Sequence, residues 1–220
     1  LYPPRALRCS PIFLTSHDVP RLPNMLVDPH MQNDPNRDYW NMENSADWIG
    51  TSGNFDTIRF REYGSIHSNL TTTQWMQARK LRRLALFLQY TLPGQPVIFA
   101  GDELGVTGLK DPFNRMPLPW ENIDQSSYDL YYKMGNFRTA YKQIFAEADF
   151  EIIHCDQEML LYRRGKIFCA INRTERELEL PDYLNDANIL FSMGDSISGN
   201  MEMRTNGLLP AMSVSMFEAV

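Results

Sequence analysis

Apolar positions along this chain change their spacing several times, and each change marks an element. Pro11-Ile12-Phe13-Leu14 is a short continuous apolar run that passes straight into the polar cluster Thr15-Ser16-His17-Asp18, the pattern of a buried strand with polar side chains at its exit. Further on, Leu81, Leu84, Ala85 and Leu88 recur at helical spacing behind Thr71-x-x-Gln74, until Pro93-Gly94. The Thr-x-x-Gln pair has the form of a capping box and Pro-Gly is a stop signal, so a helix is predicted between them. Pro96-Val97-Ile98-Phe99-Ala100 is a second compact apolar run, and it ends in Gly101-Asp102-Glu103. Strand, helix and strand in this order predict a β-α-β unit.

A turn-rich loop over 104–124 leads into a helical stretch from about Ser127 to Ala148, with Tyr131, Met134, Phe137 and Tyr141 on one face. After Asp149 the texture changes. Phe150-Glu151-Ile152-Ile153, Met159 to Arg163, Ile167 to Ile171 and Leu178-Glu179-Leu180 are short β-type runs separated by turns such as Arg164-Gly165-Lys166. They predict a small antiparallel β-domain beginning near residue 149. Between Leu22 and Leu70 no period is sustained, and the stretch is rich in Pro, Asn, Asp and aromatics. It reads as a lid or excursion with short helical turns. No fixed-period repeat is present, which excludes solenoids and propellers.

Composition narrows the function classes. With 43% apolar and 12% aromatic residues over 220 positions, the chain is equipped to build a core. A net charge of -6 leaves no basic field for a phosphate backbone, so nucleic acid is not an expected partner. The longest apolar runs, such as Leu84 to Leu88 and Val97 to Ala100, are too short to cross a bilayer, so no membrane partner is expected either. The first residues carry no charged-then-apolar leader, but they begin Leu-Tyr-Pro-Pro without Met, so the compartment is left unknown. Cys9, Cys155 and Cys169 cannot all pair within one chain and lack C-x-x-C spacing; reduced, mostly buried thiols are expected, leaning towards the cytoplasm. His17, His30, His67 and His154 lack metal-ligand spacing. Asp34-Pro35-Asn36-Arg37-Asp38 begins like a calcium loop but has Tyr39 at the glycine position and Ser45 at the closing acid. No metal and no cofactor are expected.

The chemistry-bearing segments resemble one family. Phe13-Leu14-Thr15-Ser16-His17-Asp18-Val19-Pro20-Arg21 resembles the F-L-x-[NS]-H-D-x-x-R segment at the seventh barrel strand of the α-amylase superfamily. Downstream, Leu92-Pro93-Gly94-Gln95-Pro96-Val97-Ile98-Phe99-Ala100-Gly101-Asp102-Glu103-Leu104-Gly105 resembles the family's eighth strand, L-P-G-x-P-x-I-x-x-G-D-E-x-G. Asp111-Pro112-Phe113-Asn114-Arg115 followed by Trp120-Glu121 is similar to the D-P-x-x-R segment of the cyclomaltodextrinase and neopullulanase branch, which Ser16 also suits. Two ordered strand motifs and a third segment make coincidence a poor explanation. The likeness covers residues 10–125 by motif and the remainder by domain order.

The resemblance implies an α/β fold: the C-terminal portion of a (β/α)8 TIM barrel, about its last two βα units, over 1–148, then an antiparallel β-sandwich domain over 149–220. It implies a retaining glycoside hydrolase acting on α-glucans or maltooligosaccharides. Such enzymes break an acetal through an oxocarbenium-like transition state, which a fixed carboxylate beside the sugar stabilises. Asp18 matches that carboxylate and His17 its sugar-binding neighbour. Arg21 is expected to bind substrate or orient the Asp18 carboxylate. Asp111 and Arg115 match residues that contact sugars further from the cleavage point; a loop-rigidifying salt bridge is the alternative for them. Asp102 and Glu103 are adjacent on an expected strand and so point to opposite faces, which keeps them from flanking one glycosidic bond as a catalytic pair; the resemblance implies a mostly architectural role for them. The aromatics Tyr39, Trp40, Trp48, Phe55, Phe60 and Tyr63 are read as packing within the excursion in preference to a sugar-stacking platform.

Family members carry their nucleophile and general acid on earlier strands, in segments like G-x-R-x-D and E-x-W, and neither is found here. The expected partner is therefore the missing N-terminal barrel portion. Alone, such a piece is expected to be catalytically inactive and to close its open strand edges by self-association. The alternative function is a non-catalytic carbohydrate-binding or scaffold relative of the amylase barrel. An autonomous binding module in the β-domain is disfavoured, because Trp40, Trp48, Trp75 and Trp120 all precede it.

Overall fold

The computed structural model describes residues 3–27, 69–109, 113–194 and 205–218. Most of the excursion, including its aromatics, His30, His67 and the calcium-like run, lies outside the described residues, as does Asp111. In chain order the described elements are α1 (Pro4–Cys9), β1 (Pro11–Ile12), α2 (Leu22–Val27), α3 (Thr72–Thr91), β2 (Gln95–Pro96), α4 (Gln125–Ala140) and α5 (Lys142–Glu147). The strands β3 (Phe150–Cys155), β4 (Met159–Arg164), β5 (Ile167–Asn172), β6 (Leu178–Glu179), β7 (Asn188–Met193), β8 (Leu208–Leu209) and β9 (Ser213–Glu218) follow. The chain forms two compact units, one of Leu1–Ile12, Lys80–Val97 and Leu130–Val220, the other of Phe13–Arg79 and Ile98–Asp129.

In the first unit β1 and β2 pair in parallel, Pro11 with Gln95 and Ile12 with Pro96. Together with α3 between them they form the predicted β-α-β unit. The paired strands are shorter than the apolar runs that announced them. The capping box forms at the head of α3: the Thr71 amide donates to Gln74 Oε1 at 2.9 Å and the Gln74 amide to Thr71 Oγ1 at 3.3 Å. Two of the helix's orphan donors are thereby satisfied. At the other end Gly94 has φ +136°, and a β-carbon there would sit 2.6 Å from Ser10 O and 2.7 Å from the Ile12 side chain. Only glycine lets the chain pass this close to β1. The second predicted helix is interrupted at Tyr141 and continues as α5.

The β-region builds a five-stranded antiparallel sheet in the order β3-β4-β5-β9-β7 and a two-stranded sheet of β6 and β8. Neighbouring residues on the central strands face opposite sides, and both sides are buried. Tyr162, Cys169 and Met216 join Phe87, Met134, Phe137 and Phe145 from the helices in one core. Leu161, Ala170 and Phe217 join Leu180, Leu184 and Leu209 in another. This explains why β5 reads Ile-Phe-Cys-Ala-Ile without alternation: a strand covered on both faces needs no polar side. Cys169 lies fully buried there, and burial pushes its thiol up to about 12. The expectation of mostly buried thiols needs correction for the other two, because Cys9 at the end of a one-turn-and-a-half helix and Cys155 on the edge strand β3 are exposed.

Two arginines, Arg164 fully buried and Arg138 half-buried, tie helix ends to this unit. Arg164 donates to Thr91 O and Phe145 O, both at 2.7 Å, and Arg138 donates to Tyr90 O and Gly94 O. The last carbonyls of a helix lack intrahelical donors, and a cation suits that negative end.

Candidate functional site

Within the second unit, segment 13–21 meets segment 98–109. Arg21 is the hub. Its Nη1 donates to Ala100 O at 2.7 Å and lies 3.4 Å from Asp102 Oδ1, and its Nε donates to Asn114 O at 2.7 Å. The guanidinium stacks over Phe99 at 3.9 Å from the ring centre, and the Arg21 amide donates to Gly108 O at 2.8 Å. Gly108 in turn donates to Asn24 Oδ1 at 2.8 Å, and a side chain at Gly108 would collide with Phe113 O.

Arg21, expected to bind substrate or orient the Asp18 carboxylate, is turned inward in this structure. Its side chain is only 3% exposed, and its donors are directed to backbone carbonyls and Asp102 rather than to a ligand. An arginine fork that must satisfy two buried carbonyls and a buried carboxylate has to face inward. Asp102 is buried beside it and accepts a hydrogen bond from Thr15. Burial pushes its carboxyl above the usual carboxylate range, against the lowering effect of the Thr15 bond and the Arg21 charge. Asp102 and Glu103 sit in the 3-10 turn Asp102–Leu104 rather than on a strand. Glu103 Oε2 accepts the Gly101 amide at 2.9 Å, folding the side chain back on its own turn.

His17 and Asp18 occupy the opposite situation. Their side chains are 61% and 44% exposed, and His17 Nε2 lies 3.2 Å from Asp18 Oδ1. The loop beneath them is tight: the Asp18 amide donates to Ser16 Oγ at 3.2 Å and the Val19 amide to Ser16 O at 3.4 Å. Asn114, fully buried in the 3-10 turn Phe113–Arg115, donates from Nδ2 to His17 O at 2.8 Å and to Val19 O at 2.9 Å. Sequence reasoning stopped at the flanking Asp111 and Arg115 and passed over Asn114. The only available signal was its place inside the D-P-F-N-R segment. Arg115 is exposed. No group of three or more His, Cys, Asp or Glu able to hold a metal occurs among the described residues.

No family model matches the chain. Among curated proteins, an amylopullulanase of Thermoanaerobacter thermohydrosulfuricus is 32% identical over 116 residues, covering 51% of this chain and 8% of that protein. Neopullulanase 2 of Thermoactinomyces vulgaris is 32% identical over 82 residues, 36% of this chain and 14% of that protein. Cyclomaltodextrinases are further relatives. Among solved structures, a debranching enzyme of Nostoc punctiforme superposes with a TM-score of 0.61 at 19% identity, covering all of this chain and 37% of that one.

Sequence relatives and structural neighbours therefore meet in one class, the α-amylase-type glycoside hydrolases with a TIM barrel. Over part of its length the chain is similar to enzymes named amylopullulanase, neopullulanase and cyclomaltodextrinase, and it spans a small fraction of their length.

Proposed function

We propose that this chain is part of an α-amylase-type retaining glycoside hydrolase acting on α-glucans or maltooligosaccharides. Asp18 is its transition-state-stabilising carboxylate and His17 binds the same sugar. On this reading residues 1–148 form the last two βα units of the barrel and 149–220 its C-terminal β-sandwich domain. The nucleophile and general acid come from a preceding barrel portion, so the chain alone is inactive. Asp111 and Arg115 contact sugars beyond the cleavage point.

The observation that carries the reading is the contrast within segment 13–21. Thr15 and Arg21 are buried and bound to the segment around Asp102, while His17 and Asp18 between them stand out together with their polar atoms 3.2 Å apart. A carboxylate that is held from below and open above is suited to electrostatic stabilisation, because it costs no reorganisation when charge develops beside it. The likeness to α-glucan-active relatives supports the substrate class.

The test is reducing-sugar release from maltoheptaose and pullulan by the complete enzyme carrying this chain, with and without Asp18→Asn. The expected loss is at least about a thousandfold, on the order of 4 kcal/mol in the barrier. Intact sugar binding without hydrolysis in the unsubstituted enzyme would instead identify a non-catalytic relative.

A further inference from the structure

We propose that Asn114 is the positioning residue for Asp18: its side-chain amide clamps the two peptide carbonyls that flank this residue and so fixes where the carboxylate stands. The proposal rests on the reading of Asp18 given above. It starts from an imbalance. Asp18 is 44% exposed, and among the described residues the only side chain its carboxylate meets is that of His17, which is itself exposed. An exposed carboxylate on a loop is placed by its backbone or not at all.

Besides its own turn bonds through Ser16, the backbone of this loop is held across to another segment by one side chain. Nδ2 of Asn114 lies 2.8 Å from His17 O and 2.9 Å from Val19 O. Two carbonyl oxygens can be satisfied together only by an NH2 group, so the orientation of the amide follows from its neighbours. Among the described residues Oδ1 has no hydrogen-bond partner, so the site uses this buried amide as a double donor. The two carbonyls belong to the residues before and after Asp18, in the His17–Asp18 and Val19–Pro20 peptides, so holding both restrains the combined torsions of Asp18 and Val19 between them. Asn114 is anchored in turn, since its own carbonyl accepts Arg21 Nε at 2.7 Å and Arg21 binds Ala100 O and Asp102. The inward arginine and the outward aspartate are thus joined through Asn114.

Substitution should move the carboxylate without removing it. Since a displacement of about 1 Å can cost about a hundredfold in rate, Asn114→Ala in the complete enzyme is expected to lower kcat at least about tenfold. KM for maltoheptaose should change less than about threefold, the signature of an interaction needed in the transition state only. Asn114→Asp sets acceptor oxygens against two carbonyls and should be worse than alanine at neutral pH. The deciding readout is the double-substitution cycle with Asp18→Asn. If Asn114 acts through Asp18, Asn114→Ala costs nothing further once Asp18 is gone. A full additional loss in that background overturns the proposal, as does unchanged kcat in Asn114→Ala. Both outcomes leave the Asp18 reading intact. A complete enzyme in which Asp18→Asn has no effect overturns that reading and the positioning role with it. Should Asn114→Ala fold poorly in the enzyme, hydrogen exchange of the 220-residue chain carries the test: faster exchange of the Asp18 and Val19 amides in the variant is expected, and unchanged exchange overturns the clamp.

Discussion

Asp156 shows how a single exposed carboxylate acquires a structural role. Its Oδ1 accepts the amides of Glu158 and Met159, both at 2.7 Å, and its Oδ2 lies 2.9 Å from His154 Nε2. The two backbone bonds close the turn between β3 and β4 as an Asx-turn does. They hold the Asp156 carboxyl down at about 2, with the backbone donors ahead of His154 as the cause. The folded value is depressed below the ordinary 3.8, so the unfolded chain binds the proton first as pH falls. The stabilisation is therefore complete above the unfolded value and is lost as pH falls from there towards about 2. Asp156→Asn keeps the acceptor oxygen but cannot titrate. Urea unfolding from pH 5 to 2 should show the unsubstituted chain losing more stability than the variant, and parallel curves would refute the assignment.

At the scale of elements, the parts legible in the sequence were those with local causes. The Thr71–Gln74 box, the Pro93-Gly94 stop and the Arg164-Gly165-Lys166 turn each act within a few residues, and each is found where it was read, whereas the two apolar runs pair as strands only over Pro11–Ile12 and Gln95–Pro96. What escaped had distant partners. Strands β7 and β9 were not singled out, because Asn-Ile-Leu-Phe-Ser-Met and Ser-Val-Ser-Met-Phe-Glu become strands only by pairing with each other and with β5. The candidate site divided in the same way: His17 and Asp18 were visible as a motif, whereas the inward turn of Arg21 and the reach of Asn114 depend on residues more than 75 positions away. Arg164 was equally hidden, and it predicts the largest stability effect. It is fully buried, and burial lowers its pKa, yet its two NH2 groups serve the ends of α3 and α5. Arg164→Met would strand two buried carbonyls, at about 1–3 kcal/mol each. Urea unfolding should therefore report a loss of about 2–6 kcal/mol, with Arg164→Lys recovering part of it because one ammonium reaches two acceptors less well than a fork. A loss below about 0.5 kcal/mol for methionine, the range of ordinary surface changes, would remove this role.

For the whole molecule, the decisive feature is a parallel pair to which no further strand is added among the described residues. Among the described residues β1 and β2 form a two-stranded sheet, yet parallel strands normally lie deep in larger sheets with both faces covered. Phe13, Val97 and Ile98, in the runs that the sequence marked as buried, are 57%, 46% and 40% exposed. An apolar strand run left exposed invites pairing with another chain, since unsatisfied edge groups and apolar side chains are covered in one step. In the complete enzyme proposed here, other strands of the barrel would cover them. In the chain alone the same surfaces should meet in a second copy. Light scattering of the 220-residue chain is therefore expected to give a mass above that of a single chain, rising with concentration. Val97→Lys, which places a charge on the exposed run, should shift it back towards one copy. A clean monomer at high concentration would mean that these surfaces are tolerated in water, and the argument for a required barrel partner would lose its physical basis.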